Sequence, residues 1–551
     1  MTRKRESKRS SLIGAYKSTS LTLQARNITN NSITRRLLDL TVIYLVIRSI
    51  AKQNSLLDNQ AFWLDEIWRV DLILAPKLFN AFVLNPSSFT AITSPLFAII
   101  TRLFTIVFGV SPNSIRLLLS VAAILLSLIV YWFFRKQSPF LAIILFYFFL
   151  TNTEIGYWTL EFKPFVFDAL VIVVVFLGWF SLLNTEVASK KEIERLFYLI
   201  LIGLLSSIVV VFLLPGIFLS LFVLAKKKLL QIRQLNLLRM GIIVVFEVIL
   251  MYFVFWRYAR ADPGIQSFWG DGFYNPKNAP FIDFIVKAFS EPFLNFLHLS
   301  NIDVLVRLAA WCLALFIFFS KLQHGKNQKI AIYLLFIFSF YTTLVVANYF
   351  RMWPLGNLRV NLFLKILAVV LTCAGGLLLV NQAQFKPLNY TVTLLLIGIL
   401  FFASYQNSLI TIPRPLASHP QYVMNNFKDK GIYTSEINQA CEKSKSVIVV
   451  SPAMGFQMNY YSKYDKRYSP LLGTLKGECV VRVPMSQIGE IGAQDKVMIQ
   501  NVLENGGRVF WLFSSVSGED IVSIKNQAGQ IGTPGLLFTY AGGDGYFQLS
   551  K

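Results

Sequence analysis

Adjacent carboxylates bracketed by tryptophans, Asp65-Glu66 within Ala61-Phe62-Trp63-Leu64-Asp65-Glu66-Ile67-Trp68-Arg69, are the first residues of this chain that could do chemistry. A carboxylate held in a partly dry site becomes more basic and can take a proton from an acceptor hydroxyl. An amphipathic helix with an aromatic belt, lying in a membrane interface, would use the same residues. A second group is Thr159-Leu160-Glu161-Phe162-Lys163-Pro164-Phe165-Val166-Phe167-Asp168. Here Lys163 precedes a helix that opens at Pro164, and Asp168 falls one turn into it. A snorkelling lysine with an acid as counter-ion is the plainer reading. The third group runs from Tyr349 to Arg359, where the guanidiniums of Arg351 and Arg359 at a helix entrance could grip a phosphate bidentately or anchor an interface. Glu247, inside Val244-Val245-Phe246-Glu247-Val248-Ile249, is the deepest acid and is expected to make an interhelical hydrogen bond.

The elements that must position these groups are apolar runs. The chain is 55% hydrophobic and 15% charged, with 49 Phe in 551 residues; soluble domains run at roughly 45 to 50% and 25%. Runs of this length match the roughly 20 residues that cross a bilayer as helix, so the class is a polytopic helical membrane protein. The net charge of +23 sits in short Lys/Arg clusters between runs. That is the positive-inside pattern, and it argues against nucleic acid as a partner. Cys312 and Cys373 lie in apolar runs, no Cys-x-x-Cys occurs, and His298, His324 and His419 cannot by themselves furnish a histidine-rich zinc site. Haem, iron–sulfur and structural zinc are disfavoured.

Residues 1–36 carry nine basic residues and one acid, Glu6, and read as a disordered cytoplasmic tail rather than a cleaved signal. The first helix follows from about Leu37 to Ala51. Further apolar runs lie near 94–109, 116–134, 138–153, 165–183, 196–210, 211–225, 239–256, 303–320, 329–347, 358–380 and 389–410. If the 94–109 run, with Arg102 at its centre, lies in the outer interface, every later cluster falls on the side of the basic N-terminus: Arg135-Lys136, Lys190-Lys191, Lys226-Lys227-Lys228 and Lys321 to Lys329. The expectation is a bundle of about eleven transmembrane helices over 37–410, with an outer catalytic loop at 52–116. The 196–225 run is split near Leu213-Pro215 as a tight hairpin.

From about residue 411 the composition changes, with 14 basic and 11 acidic residues to the end. Runs at Ser446–Val450, Val480–Val483 and Arg508–Phe513 alternate with polar helical stretches such as Gln421–Lys430, predicting a small α/β domain over 411–551 outside the cytoplasm. An oxidising compartment would allow a Cys441–Cys479 disulfide.

The ordered set of elements resembles the polytopic glycosyltransferases of the GT-C class, especially protein O-mannosyltransferase-like and aminoarabinose-transferase-like bacterial enzymes. The Asp-Glu pair of their first outer loop is matched by Asp65-Glu66, and Thr93-Ser94-Pro95-Leu96-Phe97 stands where a proline motif opens their interfacial helix. A cation followed five residues later by Asp is matched by Lys163 and Asp168, with Glu161 before them. Trp353 to Arg359 resembles an aromatic-Pro-Leu/Phe-Gly-x-x-Arg element. Thr-Ser-Pro replaces the family's His/Lys-Pro-Pro, so the cation that follows the Asp-Glu loop in relatives is missing, and Lys163 with Arg359 must carry more of the phosphate.

The resemblance implies transfer of a sugar from a polyprenyl-phosphate-linked donor to an acceptor hydroxyl on a glycan, lipid or protein, at the outer face of a bacterial inner or plasma membrane. A polyprenyl phosphate leaves readily, so the site needs a base and cations for the growing phosphate charge. Asp65 would be the base and Glu66 would orient sugar hydroxyls. Glu161, Lys163, Asp168, Arg351 and Arg359 would bind substrate. No cofactor is required; a divalent cation, if used, would sit at Asp65 and Asp168. Single displacement implies inversion. Rival readings are a transporter or flippase for lipid-linked sugars, an O-antigen-ligase-like transferase and a structural assembly protein.

Overall fold

The computed structural model describes residues 32–56, 66, 69–70, 73–74, 93–230, 234–253, 269–296, 328–357, 359–382, 397–406, 439, 446–450, 480–482, 492–513, 518–536, 538–540 and 544–551. Asp65, the 303–320 run, the 421–430 helix, the Cys441–Cys479 pairing and the tail before residue 32 lie outside them.

The apolar runs fold as helices α1 (Ser32–Leu56), α2 (Pro95–Phe108), α3 (Pro112–Arg135), α4 (Pro139–Thr151), α5 (Thr153–Thr159), α6 (Phe165–Asn184), α7 (Lys190–Ser206), α8 (Leu214–Lys226), α9 (Gln234–Met251), α10 (Phe281–Phe296), α11 (Gln328–Tyr349), α12 (Leu362–Gln382) and α13 (Ile397–Gln406). Proline opens α2, α3 and α4, where its missing N–H costs nothing. A capping box starts α7: Glu192 N–H donates to Ser189 Oγ, while the Ser189 backbone N–H donates to the Glu192 carboxylate and holds it below the ordinary glutamate range.

Four of the described helices are both long and apolar enough to cross a membrane: Pro112–Arg135, Phe165–Asn184, Ile208–Lys226 and Gln328–Tyr349. A fifth span results if α4 and α5, bent by 50° about Asn152, count as one. The expected eleven is therefore too many for the described residues. Apolar composition does not set helix length: α2 and α7 stop at 14 and 17 residues, and α1 carries Asp39 and Arg48 within its 25. At 14 residues α2 rises about 21 Å, short of a bilayer core of about 30 Å. The 196–225 run does break, but at Ser207 rather than at Leu213-Pro215. Ser207 is extended (φ −156, ψ 127), a 3-10 turn covers Ile208–Leu213, and Pro215 sits harmlessly in the first turn of α8.

Polar contacts give the bundle two distinct ends. At one, Tyr131 and Arg135 both donate to Asp39, Lys329 Nζ donates to the carbonyls of Asn184 and Thr185, and Ala188 N–H bonds the carbonyl of Leu229. This end carries Arg135-Lys136, Lys190-Lys191 and Lys226-Lys227-Lys228, and the backbone bond from Ala188 to Leu229 brings the last two clusters together. At the other end Arg116, residues 152–168, Ser207 and the 348–365 segment meet through contacts described below. Between them lies a dry aromatic core in which Trp179 stacks on Phe336 with ring centroids 4.0 Å apart and donates its indole N–H to Ser220. A Cβ on Gly216 would stand 2.9 Å from the Phe336 carbonyl oxygen, so glycine sets the close crossing of α8 and α11. Outward faces are apolar too: Ile242, Val245, Phe246 and Ile249 of α9 and Leu103, Ile106 and Val107 of α2 are exposed, a surface that suits lipid and not water.

The three β-rich runs form β1 (Val447–Val450), β2 (Val480–Arg482) and β3 (Val509–Phe513). With β4 (Thr533–Pro534), β5 (Phe538–Tyr540) and β6 (Asp544–Ser550) they make a mixed sheet of order β2-β1-β3-β6-β4, with β5 also on β6. The first three strands are parallel and β6 runs against β3. Helices α14 (Ala493–Glu504) and α15 (Gly518–Gly529) cover one face, where Val447, Val449, Val509, Trp511 and Phe513 pack with Ile499, Leu503, Ile524 and Ala528. The alternate residues Ile448, Phe510 and Leu512 point the other way and join the bundle's apolar core.

Candidate active site

Phe162 is the fixed point of the second end. Its backbone N–H donates to Glu66 Oε1, and its carbonyl accepts from Arg69 Nη1 at 2.9 Å. Glu66, Arg69, Val70 and Ile73 are helical and buried; their spacing of three and four residues puts them on one helix face. Glu66 is in turn gripped by Arg116, Nε to Oε1 at 3.1 Å and Nη2 to Oε2 at 2.8 Å, with both side chains at most 1% exposed. The fork-on-fork geometry is the strong form of ion pair. Phe97 of α2 stacks on the Phe162 ring with centroids 5.7 Å apart.

Holding this peptide places the residues on either side of it. Lys163 Nζ pairs with Glu161 Oε2 at 2.8 Å, and the two side chains are 11% and 6% exposed. Tyr157 donates its hydroxyl to Glu161 Oε1 at 2.7 Å, and the Lys163 ammonium lies over the Trp158 ring at 5.6 Å. Tyr157 and Trp158 belong to α5, which exists because Asn152 bends the chain and caps it: Asn152 Oδ1 accepts from the N–H groups of Glu154 and Ile155 at 3.1 and 3.0 Å. The charges of Glu161 and Arg359 both act on the Tyr157 hydroxyl. Arg359 thus lies within electrostatic reach of the same group.

Asp168 occupies the first turn of α6, where the helix dipole favours a negative charge. It accepts a hydrogen bond from Ser207 at the α7–α8 break and feels the charge of Arg69. Its neighbours bring a hydroxyl and a guanidinium, and no group of three His, Cys, Asp or Glu suited to a metal occurs among the described residues. Asp65, the other residue of the expected cation site, lies outside the described residues.

The loop bearing Arg351 and Arg359 is folded by two asparagines. Asn348 Nδ2 donates to the carbonyls of Gly272 and Trp353, and Asn361 Nδ2 donates to those of Leu355 and Asn357. Trp353 returns its indole N–H to Asn361 Oδ1 at 2.9 Å. Gly272 is required here, since a Cβ would stand 2.7 Å from Pro354 Cβ. Arg359 is exposed; so is Arg351, which sits at φ 53.

The structure thus gathers Glu66, Glu161, Lys163 and Asp168 around one turn, with Arg359 in range, and Arg351 is not joined to them by any contact among the described residues. Glu66 is buried between Arg116 and the Phe162 backbone. Sequence reasoning passed over Arg116, Arg69, Tyr157, Ser207 and an ion pair between partly exposed Glu154 and buried Lys365. Arg116 was legible as an isolated cation opening an apolar helix. Both Glu247 oxygens are buried and lack a hydrogen-bond partner, so the expected interhelical bond is not formed among the described residues.

No family model and no curated protein matches this sequence. Among solved structures the chain is similar to ArnT from Cupriavidus metallidurans bound to undecaprenyl phosphate, with a TM-score of 0.48 and 10% identity over 92% of this chain and 97% of that chain. It is similar also to ArnT from the same organism in the apo state, with a TM-score of 0.40 and 11% identity over the same shares.

Proposed function

We propose that this chain is a membrane glycosyltransferase that moves a sugar from a polyprenyl-phosphate-linked donor to an acceptor hydroxyl, at the membrane face opposite its lysine clusters. The observation that carries this reading is the Glu161–Lys163 pair, largely buried against Trp158 and fixed by the hold on Phe162, at one end of an apolar bundle. An ammonium at the end of an apolar bundle suits an anionic headgroup whose apolar tail stays in the bilayer. Under the positive-inside rule the end with Arg135, Lys190 and Lys226 is cytoplasmic, so the site opens outward, in a bacterial inner membrane.

In this account Lys163 and Arg359 stabilise the phosphate charge that grows as the bond to the sugar breaks. Asp65, next to Glu66 in sequence, is the base that takes the acceptor proton. Glu66 fixes the Phe162 turn, and Asp168 ties that turn to the α7–α8 break through Ser207. Attack opposite the departing phosphate inverts the sugar carbon. The test is transfer of a radiolabelled sugar from synthetic polyprenyl-phosphate donors by purified protein. A glycosidic product supports the enzyme, whereas movement of intact donor across vesicles without product would make it a transporter.

A further inference from the structure

Lys365 sits in the first turn of α12, an otherwise apolar helix, with a side chain 3% exposed. That placement is unfavourable twice over: a cation near a helix N-terminus opposes the dipole, and an ion pair in a dry bundle seldom stabilises more than apolar residues of the same size would. Its ammonium bonds Glu154 Oε1. Glu154 stands in the first turn of α5, three residues before Tyr157 and therefore on the same face, and its side chain is 28% exposed against 6% for Glu161. An ionisable residue retained in an apolar helix at such cost marks function.

We infer that Glu154, held in place by its ion pair with Lys365, is a sugar-binding carboxylate of the site and reads a hydroxyl of the transferred sugar. This rests on the glycosyltransferase reading and adds to it the residue that selects the sugar. The chemistry is that of a carboxylate, which accepts hydrogen bonds from hydroxyls and gives none. One oxygen goes to Lys365, and the partly exposed position leaves the carboxylate within reach of a ligand. Phosphate is left to Lys163 and Arg359, so sugar and phosphate contacts are carried by different residues along α5 and the turn after it.

The experiment uses the full-length protein in detergent with donors lacking one sugar hydroxyl at a time, comparing wild type, Glu154→Gln and Glu154→Asp. Binding is followed by calorimetry with polyprenyl-phosphate sugar and with polyprenyl phosphate alone, and transfer is followed in parallel. Removing a hydrogen bond to a charged group should weaken binding of the sugar-bearing donor about tenfold or more. For one deoxy donor the wild type and Glu154→Gln should bind alike, because the partner hydroxyl is already gone. Polyprenyl phosphate alone should bind Glu154→Gln as it binds wild type. Glu154→Asp, which keeps the charge and shortens the reach, should show the same donor preference in smaller measure; it stands in if Glu154→Gln is not recovered folded. Independent, additive losses for every deoxy donor, or an equal loss for polyprenyl phosphate alone, would overturn the inference. Sugar-dependent binding without any product in the wild type would instead bring down the transferase reading and leave Glu154 a sugar contact.

Discussion

Glu66 and Arg116, separated by 50 positions, meet as a bidentate ion pair sealed from solvent, and the same Glu66 oxygen that takes Arg116 Nε also takes the backbone N–H of Phe162. The segment bearing Glu66, the third helix and the turn bearing Lys163 are therefore joined through one carboxylate.

Removing only Arg116 takes from that buried carboxylate its bidentate ion-pair partner. Breaking one side of a buried pair costs about 3 to 5 kcal/mol, so Arg116→Met should unfold at a clearly lower temperature in detergent. The double variant Glu66→Leu with Arg116→Met should recover part of that loss and still transfer slowly, because the Phe162 N–H has no acceptor. Thermal unfolding followed by tryptophan fluorescence checks both.

Asp65→Asn keeps shape and hydrogen-bonding reach while removing the base. Transfer should fall by about 10² to 10⁴-fold, in kcat more than in KM, with donor binding intact. Wild-type rate in Asp65→Asn together with a dead Glu161→Gln would move the base to Glu161.

Sidedness follows from the two ends of the bundle. In inverted and right-side-out vesicles, Lys190→Cys should react with an impermeant maleimide only from the cytoplasmic side and Arg351→Cys only from the opposite one. A tag after Lys551 should be accessible from the same side as Arg351→Cys. Labelling of positions 190 and 351 from one side would place the lysine clusters and the site on the same membrane face.

Asn361 holds the loop of Arg359 by side-chain bonds to three of its carbonyls, those of Pro354, Leu355 and Asn357. Asn361→Leu keeps the volume and leaves those carbonyls without their donor, so donor affinity should drop as it does in Arg359→Ala. Equal affinity in wild type and Asn361→Leu would detach Arg359 from phosphate binding.

The apolar helices and the three strand runs could be read from composition and periodicity, because those properties are local. The number of spans could not. An apolar run says that a segment is buried or in lipid, but Asn152 and Ser207 break such runs through side-chain capping and an extended backbone, neither of which changes the hydropathy. Lys163 and Glu161 were legible as a polar interruption beside a helix start. The role of Glu66 was not, since its neighbour in sequence, Asp65, said nothing of Arg116 or Phe162, and long-range pairing of this kind leaves no mark in one sequence. Lys365 was hidden for the opposite reason: a single cation within 360–380 counts as noise in a hydrophobic run.

The central claim is tested most directly by incubating purified protein with a radiolabelled polyprenyl-phosphate sugar and a mixed pool of glycan, lipid and protein acceptors, wild type beside Lys163→Met. Wild type should release polyprenyl phosphate and form an inverted glycosidic product, while Lys163→Met should bind donor weakly and form product at a small fraction of that rate. Release of neither product nor polyprenyl phosphate by folded wild type across donors of different sugar, with donor nonetheless carried across vesicle membranes, would contradict it.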